Sequence, residues 1–195
     1  MIDALDPVGD GHTALSAEDR LGLIPTYIAT RGELFEAEQR NISTALLRRP
    51  PTIETLLDDR YLRNLHRAMF DQVRKLAGRY RLRETNIGIA FEQIPSAVRN
   101  LVDDAIAWAE YTTYAPDEIA VRFHHRLAAI HAFPNGNERH ARIAADYLIQ
   151  TLGAESFTWG KLRTDSPDAL RGAYRRALQR ADSGDITELV TFART

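Results

Sequence analysis

The chain has 195 residues and a mass of 22.0 kDa, a length that fits one domain with a sizeable core. Its 44% hydrophobic and 27% charged residues are typical of a globular protein and exclude a wholly disordered or fibrous chain. The formal net charge is only -2 at pH 7, so a surface dominated by nucleic-acid-binding charge is not expected.

Three absences narrow the class further. The sequence contains no cysteine, which excludes disulfides, thiol catalysis and cysteine-ligated zinc. No segment approaches the ~20 consecutive apolar residues of a membrane span. Residues 1–10 lack the basic start and apolar stretch of a secretory signal. We therefore expect a cytoplasmic protein with no membrane partner.

The composition predicts one domain with a short arm before it. Residues 1–12 are rich in Gly, Asp and Pro, which predicts a flexible N-terminal arm, and residues 13–195 are expected to form a single domain. Apolar residues at helical spacing predict seven helices. In chain order these helices cover residues 34–46, 62–78, 98–109, 119–130, 136–151, 169–181 and 186–190. Pro50, Pro116 and Gly153 mark helix ends.

Between Tyr80 and Pro95 the pattern changes. The apolar residues alternate with period two over a short stretch, which predicts a small exposed β-hairpin or an extended flap. The expected architecture is therefore all-α with one small β element, a bundle of helices around a shared core.

The segment from Ile130 to Arg142 combines a helix end, a polar loop and a helix start. At the start of the second helix, backbone N–H groups and the helix dipole favour an anion such as a phosphate chain. Arg139 and Arg142 lie three residues apart on that helix, so both can bind neighbouring phosphates. His131 stands at the other end of the loop, and its ordinary pKa suits it to take a proton from a hydroxyl nucleophile.

This segment resembles the Fic family signature His-x-Phe-x-x-Gly-Asn-x-Arg-x-x-Arg. All six fixed positions are present, as His131, Phe133, Gly136, Asn137, Arg139 and Arg142. At ~5% usage for each residue, chance supplies such a match about once in ten million to a hundred million trials. The resemblance implies a Fic-type helical bundle with a small β-hairpin flap.

Further stretches extend the resemblance over most of the chain. Residues 78–81, 85–88 and 123–127 are similar to the Fic family in general. Residues 23–25, 30–34 and 157–160 resemble the Fic subgroup called mobile mystery protein B. That subgroup implies a bacterial protein carried on mobile elements, commonly beside a helix-turn-helix protein, as in toxin–antitoxin pairs. Fic proteins often self-associate, so a homodimer stays open.

The family resemblance implies protein AMPylation, the transfer of AMP from ATP, bound with Mg²⁺, to a Ser, Thr or Tyr hydroxyl of a target protein. In that reaction His131 is the general base and Phe133 anchors the loop. The ATP phosphates are expected at Gly136, Asn137, Glu138, Arg139 and Arg142. The flap is expected to clamp the target segment by main-chain bonds through Ile87, Gly88, Ile89, Ala90 and Phe91.

Two positions depart from the family pattern. Asn135 stands where active members usually place an acidic ligand for Mg²⁺, and its amide oxygen brings no charge, so metal affinity is expected to fall. Glu138 stands where most members have Gly, and it repels phosphate. Its spacing from Arg142 also fits an intrahelical ion pair. Glu138 is therefore either a built-in restraint on ATP binding or a solvated carboxylate.

The sequence leaves four alternatives open. Asn135 and Glu138 also fit a catalytically degenerate Fic protein that binds a nucleotide or a partner without turnover. A metal hydrolase is suggested by the histidines at positions 124, 125, 131 and 140, although no ligand signature accompanies them. A duplex-binding helix-turn-helix is weakened by the near-neutral charge. The same site could also transfer a different group from another phosphate-containing donor.

Overall fold

A computed structural model describes residues 20–163 and 166–195, so the predicted arm at residues 1–12 lies outside the described residues. Within those ranges the chain forms eight α-helices. They are α1 (Arg31–Ala45), α2 (Ile53–Leu56), α3 (Asp59–Phe70), α4 (Ile94–Glu110), α5 (Pro116–Ile130), α6 (Asn137–Thr151), α7 (Pro167–Asp182) and α8 (Thr187–Arg194). Within the same ranges, strand pairing is limited to one isolated antiparallel bridge between Leu23 and Arg74. The all-α prediction is confirmed.

Side-chain caps and proline place several helix starts. At α1 the Glu33 N–H donates to the Thr30 hydroxyl, and the Glu33 carboxylate accepts from the Thr30 N–H at 3.0 Å. At α3 the Asp58 side chain accepts from the Tyr61 N–H, and at α7 the Ser166 side chain accepts from the Ala169 N–H. Pro116 occupies the first turn of α5, as predicted, because its fixed φ suits a helix start.

Helix α6 lies at the centre of the fold. It packs along α5 and also contacts α2 and α3. Its buried residues include three alanines, at positions 141, 144 and 145, whose small side chains permit close helix packing, and the larger Tyr147, Leu148 and Ile149. The signature loop is therefore held between two core helices. In the described ranges, no helix has both the length and the apolar character needed to cross a bilayer.

The second predicted helix is shorter than expected. Helix α3 ends at Phe70, not at residue 78. Beyond it the backbone turns and bonds to the N-terminal segment, where the Ile24 N–H donates to the Val73 carbonyl at 3.0 Å and the Lys75 N–H to the Gly22 carbonyl at 3.0 Å. These bonds between remote segments outweigh the helical periodicity of residues 71–78.

Residues 79–90 form the extended flap, the second of the two forms that the sequence left open. The segment carries no β-ladder, and Phe91–Gln93 is a 3₁₀ turn that leads into α4. The expected hairpin is absent because the buried Arg81 side chain, rather than a partner strand, satisfies the flap carbonyls. It donates to the carbonyl of Arg83 at 2.9 Å and to that of Ile89. One guanidinium therefore joins the two limbs of the flap.

Candidate functional site

His131 ends α5 in a left-handed conformation, with φ 52° and ψ 54°. This conformation is uncommon for a residue other than glycine and turns the chain sharply out of the helix. The His131 N–H donates to the Ala128 carbonyl at 3.1 Å, and the His131 carbonyl accepts from Arg81 Nε at 2.7 Å. The turn is therefore fixed from both sides, and the imidazole is half-buried beside the loop.

The surroundings of His131 favour its neutral form. Burial, and secondly the Arg81 guanidinium, lower the pKa of His131 from its ordinary value. A neutral imidazole at pH 7 can accept a proton, which a general base must do.

The flap lies directly against this histidine. Gly88 has φ +100°, and a Cβ built on it would stand 2.6 Å from His131 Cβ and 2.9 Å from Arg81 Nη2. Glycine is required here both for the backbone angle and for the close approach. Of the predicted docking residues, Ile87 and Gly88 are exposed, and Ile89, Ala90 and Phe91 are half-buried.

The signature loop is closed by a reciprocal pair of hydrogen bonds. The Phe133 N–H donates to Asn137 Oδ1 at 2.8 Å, and Asn137 Nδ2 donates to the Phe133 carbonyl at 2.7 Å. Both residues are buried, and Phe133 lies in the hydrophobic core. The Asn137 side chain thus holds the loop, while its contact with a phosphate stays a prediction.

Gly136 sets the start of α6. It is the N-cap residue with φ 73°, and no side chain caps this helix. A Cβ on Gly136 would lie 2.5 Å from the ring of Phe70, so only glycine fits. The N–H groups of residues 137–139 lie in the first turn, where no intrahelical carbonyl is available to them. This helix start suits an anion by both its donors and its dipole.

His66 on α3 supports the loop and was not singled out from the sequence. Its ring stacks on Phe133 with centroids 3.8 Å apart. Its Nδ1 accepts from the Gly78 N–H at 2.9 Å, which assigns the proton to Nε2, and Nε2 donates to the Asn135 carbonyl at 2.9 Å. Burial lowers the pKa of His66 to about 3, so the ring is neutral. The sequence feature that could have indicated this role is the place of His66 on the apolar face of a predicted helix.

Arg139, a predicted phosphate ligand, is paired with a carboxylate from α1. Its Nη2 donates to Glu38 Oε2 at 2.6 Å, and Arg74 Nε donates to the other oxygen of Glu38 at 2.7 Å. Glu38 is only 3% exposed, so this is a buried ion-pair network. The Arg139 guanidinium also lies 5.0 Å from the ring centre of Phe70. A phosphate that binds Arg139 would therefore compete with the Glu38 carboxylate for its N–H donors.

Arg142 occupies different surroundings from Arg139. It is 2% exposed, and its guanidinium lies 5.8 Å from the ring centre of Tyr174 on α7. The predicted intrahelical contact with Glu138 is present, with Arg142 Nη1 4.0 Å from Glu138 Oε2, but the Glu138 side chain is 52% exposed. Glu138 is therefore a weak partner that remains largely solvated. Asn135 is exposed at the tip of the loop.

The other three histidines of the signature region lie in separate surroundings. His124 is buried with Nε2 3.0 Å from the Tyr174 hydroxyl, and His125 pairs with Asp182 at 2.8 Å. His140 donates to a backbone carbonyl of α3. Among residues 20–163 and 166–195, no three His, Cys, Asp or Glu side chains come together as a metal site. Helix α6, which a duplex-binding helix-turn-helix would place in a groove, has most of its residues buried in the core.

Residues 56–149, which run from the end of α2 through most of α6, match the sequence profile of the Fic/DOC family. The described fold is helical, and its complete signature begins at the left-handed His131. Fold, signature and sequence profile thus agree on a Fic domain. Residues 56–149, just under half of the chain, are therefore Fic/DOC family sequence.

Solved structures of Fic domains have the same fold. The N-terminal Fic domain of a Bartonella effector protein, described as a substrate of the VirB secretion system, from Bartonella sp. AR 15-3 matches with a TM-score of 0.68 at 18% identity, over 95% of this chain and 88% of that chain. BepC from Bartonella tribocorum, with bound AMPPNP, gives 0.64 at 17% identity, over 95% and 93%. A Fic domain of a putative cell filamentation protein from Bartonella quintana, with bound ADP, gives 0.64 at 18% identity, over 87% and 86%.

Proposed function

We propose that this protein is a Fic-type adenylyltransferase, which transfers AMP from ATP to a Ser, Thr or Tyr hydroxyl of a target protein. The observation that carries the proposal is the arrangement of the signature loop. A neutral, half-buried His131 stands at one end of it, and the α6 start, with Gly136 and no side-chain cap, stands at the other. A general base beside an anion site is what nucleotidyl transfer to a hydroxyl requires.

In the proposed reaction the target hydroxyl gives its proton to His131 while its oxygen attacks the α-phosphorus of ATP. A new bond forms between the hydroxyl oxygen and that phosphorus, the bond from the phosphorus to the bridging oxygen breaks, and pyrophosphate leaves. The first-turn N–H groups of α6 stabilise the negative charge that develops on the α-phosphate. Gly136 allows the nucleotide to approach this backbone closely.

ATP and Mg²⁺ are the proposed cofactors. Two of the similar Bartonella structures carry bound AMPPNP and bound ADP, which supports an adenine nucleotide as the ligand of this chain. Mg²⁺ would be held mainly by the ATP phosphates, because the exposed Asn135 offers one neutral amide oxygen. The ion would offset negative charge on the phosphates.

The target is proposed to dock on the flap. The side chains of residues 82–88 are exposed, including the large apolar Leu82 and Ile87. An extended target segment could add to this edge by main-chain hydrogen bonds, with its side chains packing on these two residues. The mobile mystery protein B resemblance further suggests a bacterial cytoplasmic setting and a helix-turn-helix partner. Co-purification of that partner, and light scattering for a homodimer, test these two points.

A second candidate function is nucleotide or partner binding without turnover. It is favoured by the Glu38 carboxylate on Arg139 and by the deep burial of Arg142. Arg139 is bonded to a protein carboxylate and Arg142 lies near the Tyr174 ring, so a phosphate would have to compete with these contacts.

The deciding experiment is label transfer from α-labelled and, in parallel, γ-labelled ATP with Mg²⁺ to bacterial lysate. Wild type is compared with His131→Ala and with the matched control His125→Ala, a histidine that pairs with Asp182 away from the loop. The expected result is transfer from the α position only, lost in His131→Ala and kept in His125→Ala. ATP binding without transfer would favour the second candidate, and absence of both would overturn the proposal.

A further inference from the structure

Arg81 is a charged side chain inside the protein, at the start of the flap and only 4% exposed. A guanidinium is unfavourable in such a place unless its donors are satisfied. Its Nε donates to the His131 carbonyl at 2.7 Å, and its two terminal nitrogens donate to the carbonyls of Arg83 and Ile89. The nearest carboxylate, Glu84, is 3.9 Å away and 64% exposed, so carbonyl groups rather than a counter-charge hold Arg81 in place.

Backbone hydrogen bonds also attach the flap to residues 130–132. The Arg81 N–H donates to the Ala132 carbonyl at 2.9 Å, and the Ile89 N–H donates to the Ile130 carbonyl at 3.5 Å. Both limbs of the flap are therefore registered on residues 130–132, the turn that carries His131. Gly88 lies between the limbs, against the His131 side chain.

The conformation of His131 needs this support. A non-glycine residue in the left-handed region is strained and persists only where its surroundings determine it. Arg81 bonds to the carbonyl of that very residue, and the planar guanidinium fixes the direction of all three bonds at once. A lysine could satisfy part of this set but could not reproduce the fork.

We propose that Arg81 is a positioning residue for the proposed transfer, which holds the left-handed turn of His131 and the flap in one register. Arg81 thereby keeps the general base His131 next to the flap on which the target is proposed to dock. The effect on the transfer rate rests on the proposed function, whereas the effect on the position of His131 does not. Arg81 does not contact the α6 start, so nucleotide binding is expected to be independent of it.

The test compares Arg81→Gln and Arg81→Lys with wild type. The matched control is Arg126→Gln, whose guanidinium forms an exposed pair with Asp104. Three quantities are measured: the rate of label transfer from α-labelled ATP to lysate at saturating ATP, the Kd for ATP by calorimetry, and the imidazole resonances of His131 by NMR across a pH titration.

For Arg81→Gln we expect the transfer rate to fall about 10- to 100-fold while the Kd for ATP stays within about twofold, since a displaced base affects the reaction and not nucleotide binding. Arg81→Lys should lie between this variant and wild type. The His131 resonances should shift in both variants, and the pKa of His131 should rise in Arg81→Gln because a nearby cation is lost. Arg126→Gln should match wild type in all three.

Failure of this inference and failure of the proposed function give different results. An Arg81→Gln protein with wild-type transfer and unchanged His131 resonances would overturn the positioning role. No transfer in wild type, with shifted His131 resonances in Arg81→Gln, would overturn the function and keep the positioning of His131. If Arg81→Gln does not fold, Gly88→Ala tests the same register from the flap side, because its Cβ would meet His131. A Gly88→Ala protein with wild-type rate and resonances would then overturn the inference.

Discussion

Glu38 of α1 accepts a hydrogen bond from Arg139 of the signature at 2.6 Å, across a separation of 101 residues in the chain. The carboxylate is buried and also binds Arg74. One acidic residue outside the family segment therefore decides where the first signature arginine points.

Replacing this carboxylate should have opposite effects on stability and on nucleotide affinity. Glu38→Gln leaves two guanidinium groups, each only 13% exposed, without their counter-charge, so the free energy of unfolding should fall by about 3 kcal/mol. The same change removes negative charge beside the anion site, so ATP should bind more tightly. Chemical denaturation and calorimetry measure the two effects. The control Glu36→Gln alters an exposed pair with Arg40 and should change neither.

Glu138 gives a test of the restraint hypothesis. Because its side chain is half-exposed and 4.0 Å from Arg142, Glu138→Gln should change the free energy of unfolding by less than about 0.5 kcal/mol. If Glu138 restrains the site, Glu138→Gln and Glu138→Gly should both bind ATP several-fold more tightly and transfer AMP faster. Unchanged ATP affinity and transfer in both variants would leave Glu138 as a solvated carboxylate.

Three buried histidines predict acid sensitivity. Burial lowers the pKa of His66 and His124 to about 3 and that of His140 to about 4. Each ring is neutral in the folded protein but takes a proton near pH 6.5 when unfolded, so its contribution to stability is present above pH 6.5. That contribution is lost as pH falls through the folded pKa, about 4 for His140 and about 3 for His66 and His124. The free energy of unfolding should drop with a slope of up to about 4 kcal/mol per pH unit, the limit for three protons. Denaturation at pH 7, 6 and 5 measures the slope. His124→Gln should reduce the slope by the contribution of one proton, about 1.4 kcal/mol per pH unit.

Asp146 on α6 predicts a change of the opposite sign at neutral pH. Burial raises the pKa of Asp146 to about 7, against the hydrogen bonds from the Trp159 indole at 3.0 Å and the Phe157 N–H at 3.2 Å. A raised pKa means that its contribution to stability is present below the unfolded value near 4 and is lost as pH rises through 7. Asp146→Asn should therefore gain stability relative to wild type between pH 5 and pH 8. Trp159 fluorescence should titrate near pH 7 in wild type only, and a flat wild-type signal would count against this pKa.

The sequence predicts the parts of the fold and site that are local in the chain. The helices from α4 onward follow from apolar spacing, and the loop between His131 and Arg142 follows from six residues within one short segment. The supports of that loop come from elsewhere. His66 and Arg81 reach it across separations of 69 and 50 residues, and periodicity carries no information about such contacts.

A weaker signal for these supports does exist in the sequence. Glu38 and Asn41 lie on the face of α1 that also carries Ala37 and Ile42, and a polar residue on an apolar stripe needs a buried partner. The identity of that partner depends on how the helices pack. For the same reason the extended flap could not be told from a hairpin, since the bonds of Arg81 replace a strand ladder.

The reciprocal bonds of Phe133 and Asn137 close the loop locally, but His66 and Arg81 complete it from α3 and the flap. During folding, contacts between remote segments form more slowly than local ones, because closing each long loop costs entropy. A newly synthesised chain thus contains all the signature residues before their loop has its folded geometry. A peptide covering residues 116–151 would contain every signature residue and still lack the loop geometry that the proposed chemistry needs.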